Sequence, residues 1–413
     1  MQKFDIAIAG AGPAGLSAAS KLSKHFDVLV FDNARIPHTT HSWYSYKDRI
    51  KKHNLEDSVL NSCSSLVFKA VTKRHVMKDN CVVLDGDKIL KRWHDIALSN
   101  KAAIGKKKLK SYRKNEQGIS IKTDKGKVDA KLLIDCTGCN SPILKKNRLI
   151  NHTNTWLCYG SRINNISVKD NEQIKFLPLM DKHNTYTTFY PISNNKADFY
   201  IFRNLENKIP DPESLKPMFS RSLKKIFPKA KKLSEIKGNI VSGELKSYAL
   251  DNVAFFGESG MLTPPACGMG FNEILMKHSN FSKGIKKCMD NNNLDKKSLS
   301  NISLSLRDSN IVNFQRIIGK FSYYFINSPD KWDGGVEWLN SLGNMSRYWM
   351  RNQVSLEWIT KASYKLYKTI PFSEAAKYMP RKDLIFIATQ FARFMKGSII
   401  QEAEEILKNV RLN

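Results

Sequence analysis

Three glycines and an aspartate near the amino terminus have the spacing that bears most directly on chemistry. The apolar run from Phe4 to Ala9 leads into Gly10-Ala11-Gly12-Pro13-Ala14-Gly15, and a helix-forming run follows. In such a strand, turn and helix, the first glycine permits the tight turn, the second admits a pyrophosphate and the third allows close packing. We therefore expect phosphates to bind at the positive end of the first helix.

An acid at the end of the next apolar run completes this pattern. Residues 27–31 read as a buried strand, and Asp32 follows them directly. A carboxylate at this position can accept hydrogen bonds from a ribose. A lone glycine motif is a weak signal, but the strand, turn, helix and terminal acid together indicate an adenine-dinucleotide site.

Two further motifs lie in the middle of the first half of the chain. Arg92 lies in a helix predicted over residues 88–102, where a guanidinium can hold a pyrophosphate with two hydrogen bonds. Asp135 and Gly138 end a buried-type strand, at a turn that must pass close to a bound cofactor. Cys136 and Cys139 of the same segment have the CxxC spacing. A metal site or a redox-active cysteine pair is therefore an open alternative.

The most specific motif follows the strand predicted over residues 253–256. Gly257 and Glu258 follow that strand directly, and a glycine-rich loop from Pro265 to Gly270 precedes a helical run. We expect Glu258 to reach the ribityl hydroxyls of a flavin. The loop amides at the helix start can stabilise negative charge on the N1 and O2 side of the reduced ring.

In their order along the chain, these motifs resemble the FAD motifs of the para-hydroxybenzoate hydroxylase-like flavoproteins. The resemblance spans residues 1 to about 285. It implies FAD as the cofactor and assigns cofactor binding to Gly10, Gly12, Pro13, Ala14, Gly15, Asp32, Arg92, Asp135, Gly138, Gly257, Glu258, Pro265, Gly268, Met269 and Gly270.

Three segments resemble the branch of this group that acts on isoprenoids. Residues 186–191 are similar to the YxWxFP motif of geranylgeranyl reductases, with Thr188 in place of the Trp and Tyr190 in place of the Phe. Residues 41–43 and 179–181 resemble stretches of lycopene cyclases, whereas the acidic cluster of those enzymes is reduced to Glu206. The resemblance implies a substrate pocket.

The residues expected in that pocket are Trp43, Tyr186, Thr188 and Tyr190, with Cys267 beside the isoalloxazine. Tyr190 and Cys267 are the candidate catalytic proton donors. The leading hypothesis is reduction of double bonds in a long apolar, isoprenoid substrate by hydride transfer from flavin N5. No second glycine fingerprint is visible, so NAD(P)H or a reduced ferredoxin is the expected transient electron donor.

Three other functions stay open at this point. The same fold could support a flavin monooxygenase of an aromatic or lipid substrate, or a redox-neutral isoprenoid cyclase. A non-enzymatic alternative is an RNA-associated flavoprotein, because the formal net charge of +29 favours polyanions and anionic membrane surfaces. A bias toward Lys and Asn would give the same charge without any partner, and nucleic acid is the less favoured partner.

The expected fold class is α/β. A Rossmann-type FAD-binding domain covers residues 1–150 and 242–285, an inserted antiparallel β-rich substrate domain covers 151–241, and a helical region covers 286–413. Residues 66–84 read as irregular short strands, and the antiparallel sheet is expected to have one wet face.

The location expected from the sequence is the cytoplasm. The chain shows no secretory leader and no apolar run long enough to span a bilayer. Peripheral membrane contact is expected through basic surface and the apolar stripes at residues 321–326 and 384–394, the latter followed by Lys396. The odd number of cysteines, 7, does not indicate a disulfide framework.

Overall fold

Two β-sheets and a set of carboxy-terminal helices make up the structure. The computed structural model describes residues 2–39, 42–168, 173–179, 185–325, 331–370, 373, 376–377 and 379–394. The strands are β1 (Gln2–Ala9), β2 (Val28–Asp32), β3 (Trp43–Tyr46), β4 (Val59–Lys69), β5 (Arg74–Leu84), β6 (Ala103–Lys106), β7 (Leu109–Asn115), β8 (Gly118–Thr123), β9 (Gly126–Asp135), β10 (Ile150–Asn164), β11 (Gln173–Pro178), β12 (Thr185–Ser193), β13 (Lys196–Glu206), β14 (Lys231–Lys232), β15 (Ile236–Leu245), β16 (Ala249–Leu250) and β17 (Val253–Phe255).

The helices connect these strands and dominate the end of the chain. They are α1 (Pro13–Leu22), α2 (Lys47–Lys52), α3 (Gly86–Ser99), α4 (Pro142–Lys146), α5 (Lys216–Ile226), α6 (Gly270–Asp290), α7 (Lys296–Ser305), α8 (Ser309–Lys320), α9 (Lys331–Leu342), α10 (Ser346–Met350), α11 (Leu356–Thr369) and α12 (Arg381–Phe394).

The first sheet confirms the predicted α/β unit. Its order is β16-β17-β9-β1-β2-β6, and the four pairs from β17 to β6 are parallel. The hairpin of β7 and β8 joins this sheet through β9. Parallel strands need coverage on both faces, which explains their nearly continuous apolar runs.

The second sheet brings distant parts of the chain together. Its order is β14-β10-β13-β12-β11-β4-β5-β3, with β15 beside β10. All pairs are antiparallel except β11 with β4. The expectation of irregular short strands at residues 66–84 is wrong, because β4 and β5 form a long hairpin in this sheet.

Both faces of the second sheet are largely buried along β10, β12 and β13, so the expectation of a wet face is wrong there, whereas Val76 and Lys78 of β5 are exposed. Leu157 and Phe199 point to one face, where Phe219 of α5 packs against them. Trp156, Tyr186 and other aromatic residues point to the opposite face, toward the carboxy-terminal helices. Because β10 and β13 are apolar at both even and odd positions, both faces require cover.

The carboxy-terminal helices cover the aromatic face of the second sheet. Helices α9 and α10 contact β5, and α11 packs against α9 and α12. The apolar stripe at Leu384–Phe394 is largely turned inward, since Ile387 and Phe391 are buried. Lys396 and residue 326 of the other stripe lie outside the described residues. None of the described helices is long and apolar enough to cross a membrane.

Gly10 illustrates how tightly the first turn is packed. Its φ of +100° is unfavourable for other residues, and an added Cβ would lie 2.3 Å from the carbonyl oxygen of Cys136. We expect Gly10→Ala to lower the free energy of unfolding by about 2–4 kcal/mol. Urea unfolding of the apoprotein measures this, with Gly12→Ala as the matched control. A Gly10→Ala loss no larger than that of the control would contradict the packing account.

Candidate cofactor and substrate site

The carboxyl ends of three parallel strands meet beside a large cleft. Ala9 of β1 pairs with Asp135 of β9, which in turn pairs with Phe255 of β17. Ligands of open α/β sheets bind at this edge. The cleft has a volume of about 480 Å³ and contains predicted cofactor residues from all the motifs except Arg92: Gly12, Pro13, Ala14, Asp32, Gly138, Glu258, Gly268, Met269 and Gly270.

Two glycines of the first turn have different roles: Gly15 is required for packing, and Gly12 leaves space for a ligand. An added Cβ at Gly15 would lie 1.8 Å from the carbonyl oxygen of Gly10, so the fold itself excludes a side chain there. Gly12 differs, because its added Cβ would meet nothing within 4 Å and its φ of −76° suits any residue. Protein packing therefore gives no reason for a glycine at position 12. An open cradle here fits the close approach of a pyrophosphate at the start of α1.

Asp32 is held where a ribose acceptor is expected. Its Oδ2 accepts a hydrogen bond from the backbone N–H of Ala11 at 2.8 Å, and its Oδ1 accepts from that of Ala34 at 2.9 Å. The carboxylate lines the cleft and retains further lone pairs. It can therefore accept from hydroxyl groups of a bound ligand.

Asp135 does not line the cleft but supports the turn beside it. Its carboxylate is buried and accepts hydrogen bonds from the Thr137 N–H and hydroxyl at 2.9 and 2.6 Å, and from the Ser141 hydroxyl. Burial raises the pKa of this carboxyl. The cleft is lined instead by Cys136, Thr137 and Gly138.

Arg92 lies apart from the cleft in the structure. It is on α3, as predicted, but its Nη1 forms an ion pair with Oδ1 of Asp57 at 3.2 Å and it does not line the cleft. Its role as a pyrophosphate clamp stays a prediction. Gly257 and Gly10 also lie behind the cleft, where the φ of Gly257, +76°, shapes the turn that presents Glu258.

Glu258 is a carboxyl group of the cleft with a shifted pKa. Burial raises its pKa to about 7, although the backbone groups of Val241 and Cys139 partly oppose this shift. An added Cβ at Gly138 would lie 3.6 Å from Oε2 of Glu258. The turn after β9 and the turn after β17 therefore approach each other around this carboxyl.

The raised pKa of Glu258 predicts a pH dependence of stability. Between its ordinary pKa of 4.5 and about 7, the folded protein holds a proton that the unfolded chain releases, so stability falls as pH rises through this range. We expect the free energy of unfolding of Glu258→Gln to decrease by roughly 2–3 kcal/mol less than that of the wild-type protein over this pH range. Urea unfolding of both apoproteins at about pH 5 and about pH 8 measures it. The same pH dependence in both would contradict the assignment.

The loop before α6 forms one wall of the cleft. The indole N–H of Trp156 donates to the carbonyl oxygen of Pro265 at 2.9 Å, and the Tyr44 hydroxyl lies 3.1 Å from the sulfur of Met269. The φ of Gly268 is +64°. These contacts fix the loop so that Gly268 and Gly270 line the cleft at the amino end of α6, whereas Pro265 faces a separate cavity.

Two residues of β15 in the cleft were missed by the sequence analysis. An added Cβ at Gly238 would meet nothing within 4 Å. The Oδ1 of Asn239 is buried and accepts no hydrogen bond from any described residue, while its Nδ2 donates to the Pro210 carbonyl at 3.1 Å. A glycine inside a strand was the available signal, since it often marks a close approach of a ligand.

The cleft continues into an aromatic region on the second sheet. Trp43 stacks on Phe271 with ring centroids 4.4 Å apart, and both line the cleft. Tyr186 and Tyr190 also line it, and the ring centroid of Tyr190 lies 5.5 Å from that of Tyr44. The structure thus brings three of the four predicted substrate residues together. His41 and residues 180–181 of the cyclase-like segments lie outside the described residues.

Thr188 is the predicted substrate residue that does not line the cleft. It is fully buried between Tyr186 and Tyr190 on β12, and its hydroxyl has no hydrogen-bond partner among the residues that the structure describes. Residues two apart on a strand share a face, so Thr188 lies on the aromatic side of the sheet. A threonine there is covered by the neighbouring rings.

An apolar chamber of about 110 Å³ adjoins the cleft. Trp156, Phe176, Tyr186 and Cys267 line both the cleft and the chamber. The far wall of the chamber comes from the carboxy-terminal helices, including Trp332, Val336 and Trp349. The helical region therefore contributes directly to the site.

The candidate proton donors remain protonated at neutral pH. Burial raises the pKa of Cys267 to about 12 and that of Tyr190 well above its ordinary value of 10. Cys136 and Cys139 are free thiols, and burial raises the pKa of Cys139 to about 12. A thiolate pair for metal or redox chemistry is thus disfavoured at this turn.

Comparisons with known proteins agree with this architecture. A family model described as an NAD(P)-binding Rossmann-like domain matches residues 8–74. A search of curated proteins gives no match at the sequence level.

Solved structures with similar folds extend over most of the chain. A geranylgeranyl bacteriochlorophyll reductase-like protein from Thermoplasma acidophilum is 16% identical, with a TM-score of 0.73 over 92% of this chain and 100% of that one. The flavin-dependent brominase Bmp2 is 14% identical, with a TM-score of 0.68 over 92% and 100%. The halogenase PltM in complex with phloroglucinol and FAD is 14% identical, with a TM-score of 0.63 over 99% and 96%. The chain has the fold that these proteins share.

Proposed function

We propose that this chain binds FAD in the cleft and reduces double bonds of a long apolar substrate, most simply a prenyl lipid. The observation that carries the proposal is the continuity of the cleft with the apolar chamber, through walls shared by Trp156, Tyr186 and Cys267. The similar folds of a geranylgeranyl reductase-like protein and of an FAD-complexed halogenase support it.

The residues of the cleft fit the parts of FAD. The open position at Gly12 admits the pyrophosphate, and Asp32 accepts from the ribose of the adenosine half. Glu258 is an acceptor for the hydroxyl groups of the flavin half. The amides from Gly268 to Gly270 stabilise negative charge on the ring.

The aromatic region positions the substrate and excludes water. When bound, FAD supplies the hydride from N5 of its reduced form. Tyr190 presents a protonated hydroxyl to the cleft, and no described residue accepts a hydrogen bond from it. Tyr190 is therefore the preferred donor of the proton that completes the saturated bond, with the Cys267 thiol as the alternative. The helical wall at Trp332 and Trp349 keeps the chain of the substrate away from solvent.

Anaerobic reoxidation of the reduced holoprotein tests this reaction. The FAD-loaded protein is photoreduced, which removes any need to know whether NAD(P)H or ferredoxin is the natural donor. It is then mixed with geranylgeraniol or with its fully saturated analogue. We expect the flavin to be reoxidised by the unsaturated alcohol alone, with one double bond reduced for each flavin.

Three results would replace the proposal with an alternative. Substrate-dependent consumption of O₂ without anaerobic reoxidation would assign a monooxygenase. Conversion of the substrate without electron uptake would assign a cyclase. RNA binding stronger than binding to a generic polyanion at matched salt, with no substrate turnover, would assign the RNA-associated alternative. Peripheral membrane contact of the basic surface stays a separate proposal, tested by co-sedimentation with anionic vesicles.

A further inference from the structure

A second cavity lies behind the loop that forms the cleft wall. It has a volume of about 450 Å³, and Thr263, Pro264 and Pro265 form one side of it. Its lining contains four cationic and two acidic side chains: Arg49, Lys277, Arg307, Arg351, Glu273 and Asp308. We call it the arginine cavity.

Most of these charges already have partners. Arg351 binds both carboxylate oxygens of Asp79, at 2.8 and 2.6 Å, and pairs with Asp48 at 3.0 Å. Lys277 forms an ion pair with Glu273. Asp308 caps α8 by accepting from the N–H groups of the next turn. Both carboxylates of the lining, Glu273 and Asp308, are therefore already engaged and form no ion pair with the other arginines.

Arg49 and Arg307 have no carboxylate within ion-pair distance among the residues that the structure describes. Arg49 is 3% exposed, its Nη2 donates to the Arg351 carbonyl, and its Nε has no hydrogen-bond partner in the described part of the chain. Arg307 donates to the carbonyl oxygens of Gly243 and Gly260, both at 3.2 Å, and to that of Met261. Burial lowers the pKa of both guanidinium groups. A desolvated charge without an opposite charge is costly, and a bound anion would offset that cost.

We propose that the arginine cavity binds a phosphate-bearing ligand, with Arg49 and Arg307 as its cationic contacts. A phosphate carries up to two negative charges and several acceptor oxygens, which match two planar guanidinium groups. Gln315 also lines the cavity, where its Nε2 donates to Oδ1 of Asn352 at 3.1 Å. The inference concerns a second ligand and does not depend on the proposed reaction.

Helix α8 connects the arginine cavity with the apolar chamber. Ile311 and Gln315 line the cavity, whereas Ile318 lines the chamber, and this spacing places all three on one helix face. Pro265 lines the cavity and its neighbour Ala266 lines the chamber. The phosphate could therefore belong to a free ligand or to the headgroup of an amphiphile whose chain follows α8 into the chamber.

Calorimetric titration of the full-length protein separates these sources. The probes are inorganic pyrophosphate, dodecyl phosphate and dodecanol. We expect both phosphates to bind. Binding of dodecyl phosphate that is at least about tenfold tighter than binding of pyrophosphate indicates an amphiphile headgroup. Similar affinities of the two probes indicate a free phosphate ligand.

Charge-removing variants locate the binding. Arg307→Gln and Arg49→Gln are each expected to weaken pyrophosphate binding by about tenfold or more. Arg316→Gln is the matched control, because Arg316 lies on α8, pairs with Glu244 and does not line the cavity. If Arg49→Gln does not fold, Arg307→Gln carries the test alone.

The titration is repeated in the Gly12→Val background, in which the dinucleotide cleft is blocked to phosphates. Binding that persists there and is weakened by Arg307→Gln supports the arginine cavity. Absence of phosphate binding, or binding that Arg307→Gln leaves unchanged, overturns the proposal. Loss of FAD binding in the same background tests the flavin site, so the two failures are distinguishable.

Discussion

Gly12→Val is expected to abolish tight FAD binding while the apoprotein stays folded. The added side chain meets no protein atom within 4 Å of its Cβ, and the backbone conformation suits any residue. It would instead occupy the space where we expect the pyrophosphate, separating it from the amides at the start of α1. Because each charge-assisted hydrogen bond contributes roughly 1.5–3 kcal/mol, we expect affinity to fall at least about 100-fold. Fluorescence titration of the apoprotein with FAD measures this.

Gly105→Val is the matched control for that change. Gly105 lies on β6 of the same sheet, and its added Cβ has only the end of the Lys107 side chain nearby, at 3.9 Å. It does not line the cleft, so FAD affinity is expected to stay unchanged. Equal affinity of the Gly12→Val and wild-type proteins for FAD would show that the pyrophosphate does not bind at this turn.

Gly335→Leu is expected to block the substrate while preserving the flavin. Gly335 lies on α9 and lines the apolar chamber, so a leucine would project into the space that we assign to the substrate chain. Displacing a substrate by about 1 Å can lower a rate 100-fold. We therefore expect anaerobic reoxidation by geranylgeraniol to slow by about 100-fold or more, with FAD content unchanged.

Gly334→Leu provides the control on the same helix. Its position is adjacent in sequence but does not line the chamber, and both changes replace glycine with a better helix former. The account predicts near wild-type reoxidation for Gly334→Leu. Reoxidation that is equally fast in both variants would show that the chamber does not hold the substrate.

The cofactor motifs could be predicted because each depends on local geometry. A tight turn, a strand-ending acid and a loop before a helix are visible in a few consecutive residues. The parallel pairing of β1, β9 and β17 then brings them together at one edge. Asp135 shows the limit of this reasoning. It lies at the end of its strand, as predicted, but its side chain turns inward to Thr137 and Ser141 and not toward the cleft.

Features that depend on distant contacts were not predictable from the sequence. Polar residues such as Asp79 and Asn80 interrupt the alternation of β5, which conceals a strand that pairs along most of β4. The unpartnered Oδ1 of Asn239 and the unbalanced charge of Arg49 become visible only when their surroundings are known. The contribution of α9 to the chamber likewise depends on contacts with β5.

The flavin content of the purified protein is the most direct test of the central claim, that the cleft holds FAD with its reactive edge toward the apolar chamber. Absorbance spectroscopy after saturation with FAD and removal of the excess measures it. We predict about one FAD per chain, with a visible spectrum that changes when geranylgeraniol is added. A protein that stays colourless after incubation with FAD would contradict the account.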